Sequence, residues 1–298
     1  MNNSEMFLNR DRLSRQILAR VSLFGALIVG VATVLCYYQV YTDSRNAKLQ
    51  YLRQYMLERS RHENGIFEES SRRLAFFRNE FLRFYLSDID FSADAFRKLF
   101  QAGADGATRT KPEYFAESMD PRLGRQWGVS GFIGKNQSLD SPDFRRRLLI
   151  SYHLVNRYGP AWWPDGVLHV TYPENGLVIF SPDSPWGLEA KPDLPMNELG
   201  TIKATLQSTN PERKPVWTSL YYDETAGNWT ITYELPVDHQ GRHLCNPSLD
   251  VHLEAIMNRL VTEHPLGAYN FIIRPNGDLV ASPGALSEAQ KWKGAAFT

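Results

Sequence analysis

Along this 298-residue chain the spacing of hydrophobic positions changes character twice. It begins with an unbroken apolar run. Residues 21–42, VSLFGALIVGVATVLCYYQVYT, contain no charge between Arg20 and Asp43. At about 1.5 Å per residue the run reaches roughly 33 Å, enough for a hydrocarbon core of about 30 Å. Tyr37, Tyr38 and Tyr41 gather at its far end, and Arg10, Arg12, Arg15 and Arg20 precede it. This pattern predicts a transmembrane helix at 21–42 with residues 1–20 in the cytoplasm. A cleavable signal fits poorly, because the apolar core is long and Leu35-Cys36-Tyr37-Tyr38 offers no small-x-small site. A lipoprotein signal would want a small residue where Leu35 stands.

A helical period follows. Residues 43–86 lack proline, and Leu49, Leu52, Met56, Ile66, Leu74, Phe77, Phe81 and Phe84 keep returning to one face. The reading is one long helix, paired with its copy in a homodimer near Leu49 to Ile66 and packed on its own domain beyond. Ser92 caps a short helix over 93–101. Residues 103–141 are turn-rich and poorly periodic. Another helix starts after Ser141-Pro142 and runs to about Tyr158. Arg145, Arg146 and Arg147 fan out around it, which reads as a solvated face rather than a nucleic-acid patch.

From Val167 the period becomes 2. VLHVTY, a turn at Asn175-Gly176 and LVIFSP predict a β-hairpin. A short helix over about 196–207 comes next, then the strands WTSLYYD and WTITYELPV, and a turn at Asp238 to Gly241. In the run His243 to Pro247 the proline calls for an edge or a bulge. Residues 249–261 read as helix, and 269–273 with 279–281 as a last hairpin. The fold class is α+β: a transmembrane helix, a long membrane-emergent helix and a PAS-like antiparallel sheet.

Composition narrows the function. Lys+Arg and Asp+Glu are 33 each, so nothing favours a nucleic-acid partner. The aromatic content of 12% suits a small-ligand pocket as well as a core. Cys36 lies in the apolar run and Cys245 far from it, so no disulfide framework is expected. His239 and His243 are four apart with Asp238 adjacent, but Gly241 makes the segment a turn, and no metal or other cofactor is expected. The sequence holds no HExxH, G-x-S-x-G, P-loop or Rossmann glycine pattern, and the chain is read as no enzyme.

One passage carries a family resemblance. Asn210-Pro211-Glu212-Arg213-Lys214-Pro215-Val216-Trp217 is followed by Tyr221-Tyr222-Asp223, by Thr225-Ala226-Gly227, by a strand from Trp229 to Pro236-Val237, by Gly241, and by Leu249-Asp250. This order resembles the distal module of a double Cache (dCache) sensor domain. Phe271 to Pro283, FIIRPNGDLVASP, resembles the opening of the family's membrane-proximal module. The resemblance implies residues 43–265 as the long helix and distal module and 266–298 as an incomplete proximal module. It implies a sensor periplasmic or extracellular to the plasma membrane, and a parent receptor with a second span and a cytoplasmic output domain. That output would be a diguanylate cyclase, a histidine kinase, a phosphatase or a chemotaxis signalling domain.

A subgroup of the family binds amino acids through an Arg-x-Trp-Tyr cluster and later acidic or tyrosine positions. Here the basic residues sit three and four positions before Trp217, and Thr218 replaces the tyrosine, while Tyr222, Asp223 and Asp250 match the later part. The resemblance therefore points to Trp217, Tyr222, Asp223, Tyr233 and Asp250 as ligand-binding candidates. Rings would wall the ligand, and a carboxylate would take an amino acid's or another amine's cationic group. Tyr172 and Trp163 could reach the same pocket but read better as core. The expected function is extracytoplasmic small-molecule sensing and transmembrane signalling. The alternative is a membrane-anchored module that binds a partner protein.

Overall fold

The computed structural model describes residues 3–89, 93–121, 124–135, 137–218, 221–223 and 228–252. Between 264 and 282 it describes 264–265, 267, 269–273, 277 and 279–282. The chain divides into two compact units, residues 1–64 and 65–298.

Helix α1, Asn3–Tyr85, is continuous through both rhythms of its sequence, the apolar run and the later stripe. In the first unit many of the described apolar side chains are exposed. Leu23, Phe24, Ile28 and Val34 are each more than 60% exposed. A water-facing surface of this kind costs about 25 cal/mol per Å², so the segment requires lipid or another apolar cover. It is long and apolar enough to cross a membrane. Its hydroxyls are satisfied within the helix: Thr33 Oγ1 donates to the Val29 carbonyl at 2.8 Å and Thr42 Oγ1 to that of Gln39 at 2.8 Å.

The second unit is an antiparallel sheet with long helices packed on one face and short helical turns on the other. After α2 (Ala93–Leu99) come β1 (Phe100–Ala102), β2 (Thr108–Thr110), β3 (Ser118–Asp120), β4 (Gly124–Gln126) and β5 (Val129–Ile133). Helix α3 (Pro142–Trp162) leads to the hairpin β6 (Gly166–Tyr172) and β7 (Gly176–Phe180), and two short helices follow, α4 (Trp186–Glu189) and α5 (Gly200–Lys203). The remaining strands are β8 (Val216–Trp217), β9 (Tyr221–Asp223), β10 (Asn228–Glu234), β11 (Val237–His239), β12 (Arg242–His252), β13 (Ile272–Ile273) and β14 (Leu279–Ala281). Among the described residues the main sheet runs β1-β2-β5-β7-β6-β12-β10-β8, with β9 beside β10 and β11 beside β12. The mixed helix and antiparallel-sheet architecture is the one expected.

The hairpin turn falls at Asn175, whose φ of 55° suits asparagine. Leu74, Phe77 and Phe81 of α1, spaced three and four apart, are fully buried and pack with Phe144, Leu148 and Tyr152 of α3 against the sheet. On the other face, β5, β7 and β6 carry a smaller apolar cluster of Phe132, Leu177, Ile179 and Val167, covered by Met196 and Ile202.

Five expectations change. Residues 129–133, inside the stretch read as turn-rich, form β5. All five are buried, so neither period is visible in so short a run. The helix expected over 249–261 is strand through His252, because β12 pairs with β6 on one side and β10 on the other. Residues 253–263 lie outside the described ones. The helix expected over 196–207 is a 3-10 turn, Met196–Glu198, followed by the four-residue α5. Pro247 sits in a central strand, not at an edge. Its carbonyl accepts from Leu235 N, on the side where the neighbouring chain passes from β10 to β11 and the ladder is interrupted. A missing N–H is tolerated there.

The arginine run is not a solvated face. Arg147 is fully buried. Its Nε donates to Asp143 Oδ2 at 2.9 Å, its Nη1 to Glu174 Oε2 at 3.0 Å and to the Leu244 carbonyl at 2.7 Å. Arg146 donates to the carbonyls of Phe84 at 3.1 Å, Ile89 at 2.8 Å and Ser87, capping the C-terminal end of α1.

Candidate functional site

Strands β6, β12 and β10 lie side by side, and directly opposed residues share a face. Alternate positions divide sharply. Leu168, Val170, Tyr172, Leu249 and Tyr233 belong to the core against α1 and α3. The other face carries His169 and Thr171 from β6, Asn246, Ser248 and Asp250 from β12, and Thr230, Thr232 and Glu234 from β10. All eight are buried. Gly166 lets the strands close here, since a Cβ at that position would stand 2.1 Å from the Asp250 carbonyl oxygen.

One end of this face is internally satisfied. Asn246 bonds His243 Nε2 at 2.8 Å and reaches Thr171 Oγ1 at 3.3 Å. The other end is acidic. Thr232 Oγ1 donates to Asp250 Oδ1 at 2.6 Å, and the Tyr221 hydroxyl lies 2.9 Å from Thr232 Oγ1 and 3.5 Å from Asp250 Oδ1. His169 Nδ1 stands 3.4 Å from Asp250 Oδ2. Glu234, only 1% exposed, has no hydrogen-bond partner for Oε2 among the described residues.

The electrostatics follow from burial and from one another. Burial, and then the negative charge of Asp250, push the Glu234 carboxyl up to about 9, so it carries a proton at neutral pH. Burial presses the His169 imidazole down, but Asp250 and then Asp223 more than offset this, and its pKa lies above the usual value. Burial and the Asp250 charge also raise the Tyr221 phenol. Among the described residues no three His, Cys, Asp or Glu side chains form a metal-holding group. The arrangement offers hydrogen-bond acceptors and negative potential to a donor-bearing guest.

The residues singled out by sequence fall on both faces. Asp250 belongs to the acidic end. Asp223, half-buried on β9, acts on His169 and Tyr221. Trp217 and Tyr233 face the helix: Trp217 packs between Phe67, with ring centroids 5.1 Å apart, and Tyr233 at 4.7 Å. The Tyr233 hydroxyl reaches Ser71 Oγ at 3.2 Å. Tyr222 pairs with Trp229 through the backbone, and its side chain lies outside the described ones. Tyr172 and Trp163 pack in the core, near Phe144 and Phe180. His169, Tyr221, Thr232 and Glu234 were not anticipated. Their one trace in the sequence is the polar alternation of LHVTY and TITYE, which reads as a solvated sheet face.

A separate cleft of about 510 Å³ lies by Tyr85, Pro142, Asp143, Arg146 and His239. Its acid is engaged: Asp143 accepts from Tyr85 at 2.6 Å, Arg147 at 2.9 Å and Arg242 at 2.6 Å.

No family model and no curated protein matches the chain. Several solved structures do. The ligand-binding domain of the Campylobacter jejuni chemoreceptor Tlp3, in complex with L-norvaline, is 12% identical, with a TM-score of 0.33, over 50% of this chain and 54% of that one. That of the Pseudomonas fluorescens chemoreceptor CtaA, in complex with L-isoleucine, is 15% identical, with a TM-score of 0.35, over 46% and 52%. That of the Pseudomonas aeruginosa amino acid chemoreceptor PctC, in complex with GABA, is 17% identical, with a TM-score of 0.34, over 47% and 61%. The matched region spans about half the length of the first of these sensory domains.

Proposed function

We propose that the chain is the extracytoplasmic sensor part of a membrane receptor. A small molecule, an amino acid or another amine, binds on the polar face of the central sheet around Asp250, with Asp223, Tyr221 and Glu234. The observation that carries this reading is the buried acidic end of that face, where Glu234 Oε2 lacks a partner among the described residues. A native core rarely retains such an acceptor without a use. The same strands present Tyr233 and Leu249 to the side occupied by α1 and α3, so a shift in strand position on ligand binding is felt by the helices. The ligand acts by favouring one of two arrangements. The helix then carries the change across the membrane, from a sensor outside to an output domain of cyclase, kinase, phosphatase or chemotaxis type.

In this reading residues 1–20 are cytoplasmic, 21–42 span the plasma membrane, 43–265 form the distal Cache module with its helix, and 266–298 begin the proximal one. The receptor works as a homodimer through the apolar stripe near Leu49, Leu52 and Met56, which is exposed in the single chain.

The test is a thermal-shift screen of the full chain in nanodiscs against amino acids, polyamines, organic acids and purines. Dose-dependent stabilisation by one class, lost in Asp250→Asn, is the expected result, because selective binding to the folded state raises the melting temperature. A folded sample that responds to none of them moves the reading to a partner-binding module. Crosslinking between single cysteines at position 52 in membranes checks the dimer, and absence of a crosslinked pair removes it.

A further inference from the structure

The segment between α5 and β8 is tied to the β11–β12 hairpin by a few side chains. Arg213 Nε donates to Asp238 Oδ2 at 2.5 Å and its Nη2 to Asp238 Oδ1 at 3.0 Å, while its Nη1 reaches back to the Thr205 carbonyl at 2.5 Å. Gln207 Nε2 donates to the Gly241 carbonyl at 2.9 Å. Asn210 closes the segment on itself, its Nδ2 donating to the Lys214 carbonyl at 2.7 Å and its Oδ1 accepting from Lys214 N at 3.1 Å. Residues 205–214 thus form a strap, and among the described residues its charged fastening to the hairpin is the pair of Arg213 and Asp238. The strap is strained at that fastening. Arg213 has a φ of 53°, in the left-handed region that a Cβ disfavours, and its guanidinium contacts hold it there. Beyond the strap comes β8, whose Trp217 packs between Phe67 of α1 and Tyr233 of β10, so a shift of the strap is felt by a ring that touches the long helix.

Directly across the hairpin from Asp238 stands His243. It is buried, and its Nε2 lies 2.8 Å from Asn246 Oδ1. Asn246 gives its Nδ2 to Thr171 Oγ1, so its Oδ1 is the acceptor and the neutral His243 ring carries its proton on Nε2. A second proton, on Nδ1, sets a positive charge beside Arg213 and in competition with it for Asp238. The other charged groups are Glu174 from the β6–β7 turn, which is held by Arg147 of α3, and Arg242 of β12 itself, which pairs with Asp143 of α3. His239 of β11 packs on Tyr85. Burial is the largest influence on the His243 imidazole and lowers its pKa. Arg213 lowers it further, and the Asn246 bond and the carboxylates of Asp238 and Glu174 offset only part of this. With a folded-state pKa below the ordinary 6.5, the closed arrangement is fully favoured above that pH and loses stability as pH falls below it.

We propose that residues 205–214 are an acid-released strap: protonation of His243 loosens the fastening of Arg213 to Asp238 and frees β8, with Trp217, from its closed arrangement. The sheet domain then carries a response to acid that is separate from the ligand site and does not depend on it. Release lets the Arg213 backbone leave the left-handed region, so strain and charge act in the same direction.

The experiment is hydrogen–deuterium exchange read by mass spectrometry on the full chain in nanodiscs, at about pH 7.5 and about pH 5.5, with rates corrected for the intrinsic effect of pH. An ordinary imidazole titrates in this range and ordinary carboxylates do not, with reference pKa values of about 6.5 and about 4. Amide protection across residues 205–217 should fall at least about tenfold on acidification, while α3 and β6 stay protected. His243→Gln, which keeps a donor for Asn246, should abolish the fall, and His243→Asn serves as the second variant where circular dichroism shows the first unfolded. Asp238→Asn should leave the strap open at both pH values. An acid response that persists without His243, or protection that does not change with pH in the unsubstituted chain, overturns the proposal. So does a strap that stays protected in Asp238→Asn.

Discussion

Two buried charged clusters in the sheet domain are built on opposite principles. Around Arg147 the charges balance: Arg147 and Arg242 face Asp143 and Glu174, and Tyr85 and the Leu244 carbonyl complete the hydrogen bonds. Around Glu234 they do not. Among the described residues carboxyls outnumber bases there, one of them keeps its proton at neutral pH, and Glu234 Oε2 has no partner. The first cluster joins the start of α3 to the β6–β7 turn and to β12, so its geometry is complete in the protein alone. The second, among the described residues, keeps a buried carboxyl protonated at neutral pH and so weighs on stability as pH rises. Burial alone does not separate the two clusters; the pairing of the buried groups does.

The contrast can be broken most forcefully at its balanced end. Arg147→Met should cost about 3–5 kcal/mol, because removing one member of a buried network strands its partners. Chemical denaturation gives the figure, and a loss below about 1 kcal/mol would place Arg147 with surface pairs instead. At the other end the same kind of substitution should stabilise. The folded-state pKa of Glu234 lies above its ordinary 4.5, so the folded protein holds the extra proton. Its contribution is fully present below about pH 4.5 and is lost as pH rises toward about 9. Glu234→Gln removes that loss, and should raise stability at pH 7 by about 3 kcal/mol and flatten the decline between those pH values. Melting temperatures of both proteins across pH 4–9 check the sign.

Smaller effects separate the two sheet faces. Gly166→Ala forces a Cβ onto the Asp250 carbonyl and should destabilise by about 1–3 kcal/mol, weakening ligand affinity as the β6–β12 pairing shifts. Trp217→Ala should cost about 1–2 kcal/mol through lost contact with Phe67 and Tyr233. It should change affinity for an amine far less than Asp250→Asn does, since Trp217 lies on the helix side. Calorimetry of the two variants compares them directly, and equal losses of affinity would put Trp217 in the binding site.

The legible parts of this protein are those set by short-range pattern. An uncharged run of 22 residues, a proline-free stripe through Leu74, Phe77 and Phe81, and Asn175-Gly176 between alternating strands each carry their conformation in their own spacing. Asp250 and Asp223 were legible as candidates through a family resemblance. By contrast, β5 was hidden because a strand buried on both faces has no alternation, and β12 because its pairing with two neighbours overrode a helical-looking run.

The site itself belongs to the tertiary structure. TITYE shows polar and apolar positions alternating, but the same string describes a strand with its polar face in water. Whether that face is buried, and beside which other strands, depends on β6 and β12, which come from residues 166–172 and 242–252. Arg147 was misread for the matching reason, since its partner Glu174 arrives from a turn 27 residues later. Sequence alone determined the helix long and apolar enough to cross a membrane, its long continuation and the α+β class, because hydrophobic spacing acts locally. Only the tertiary structure decided which charges are balanced, because balance is a property of strands brought together from distant parts of the chain.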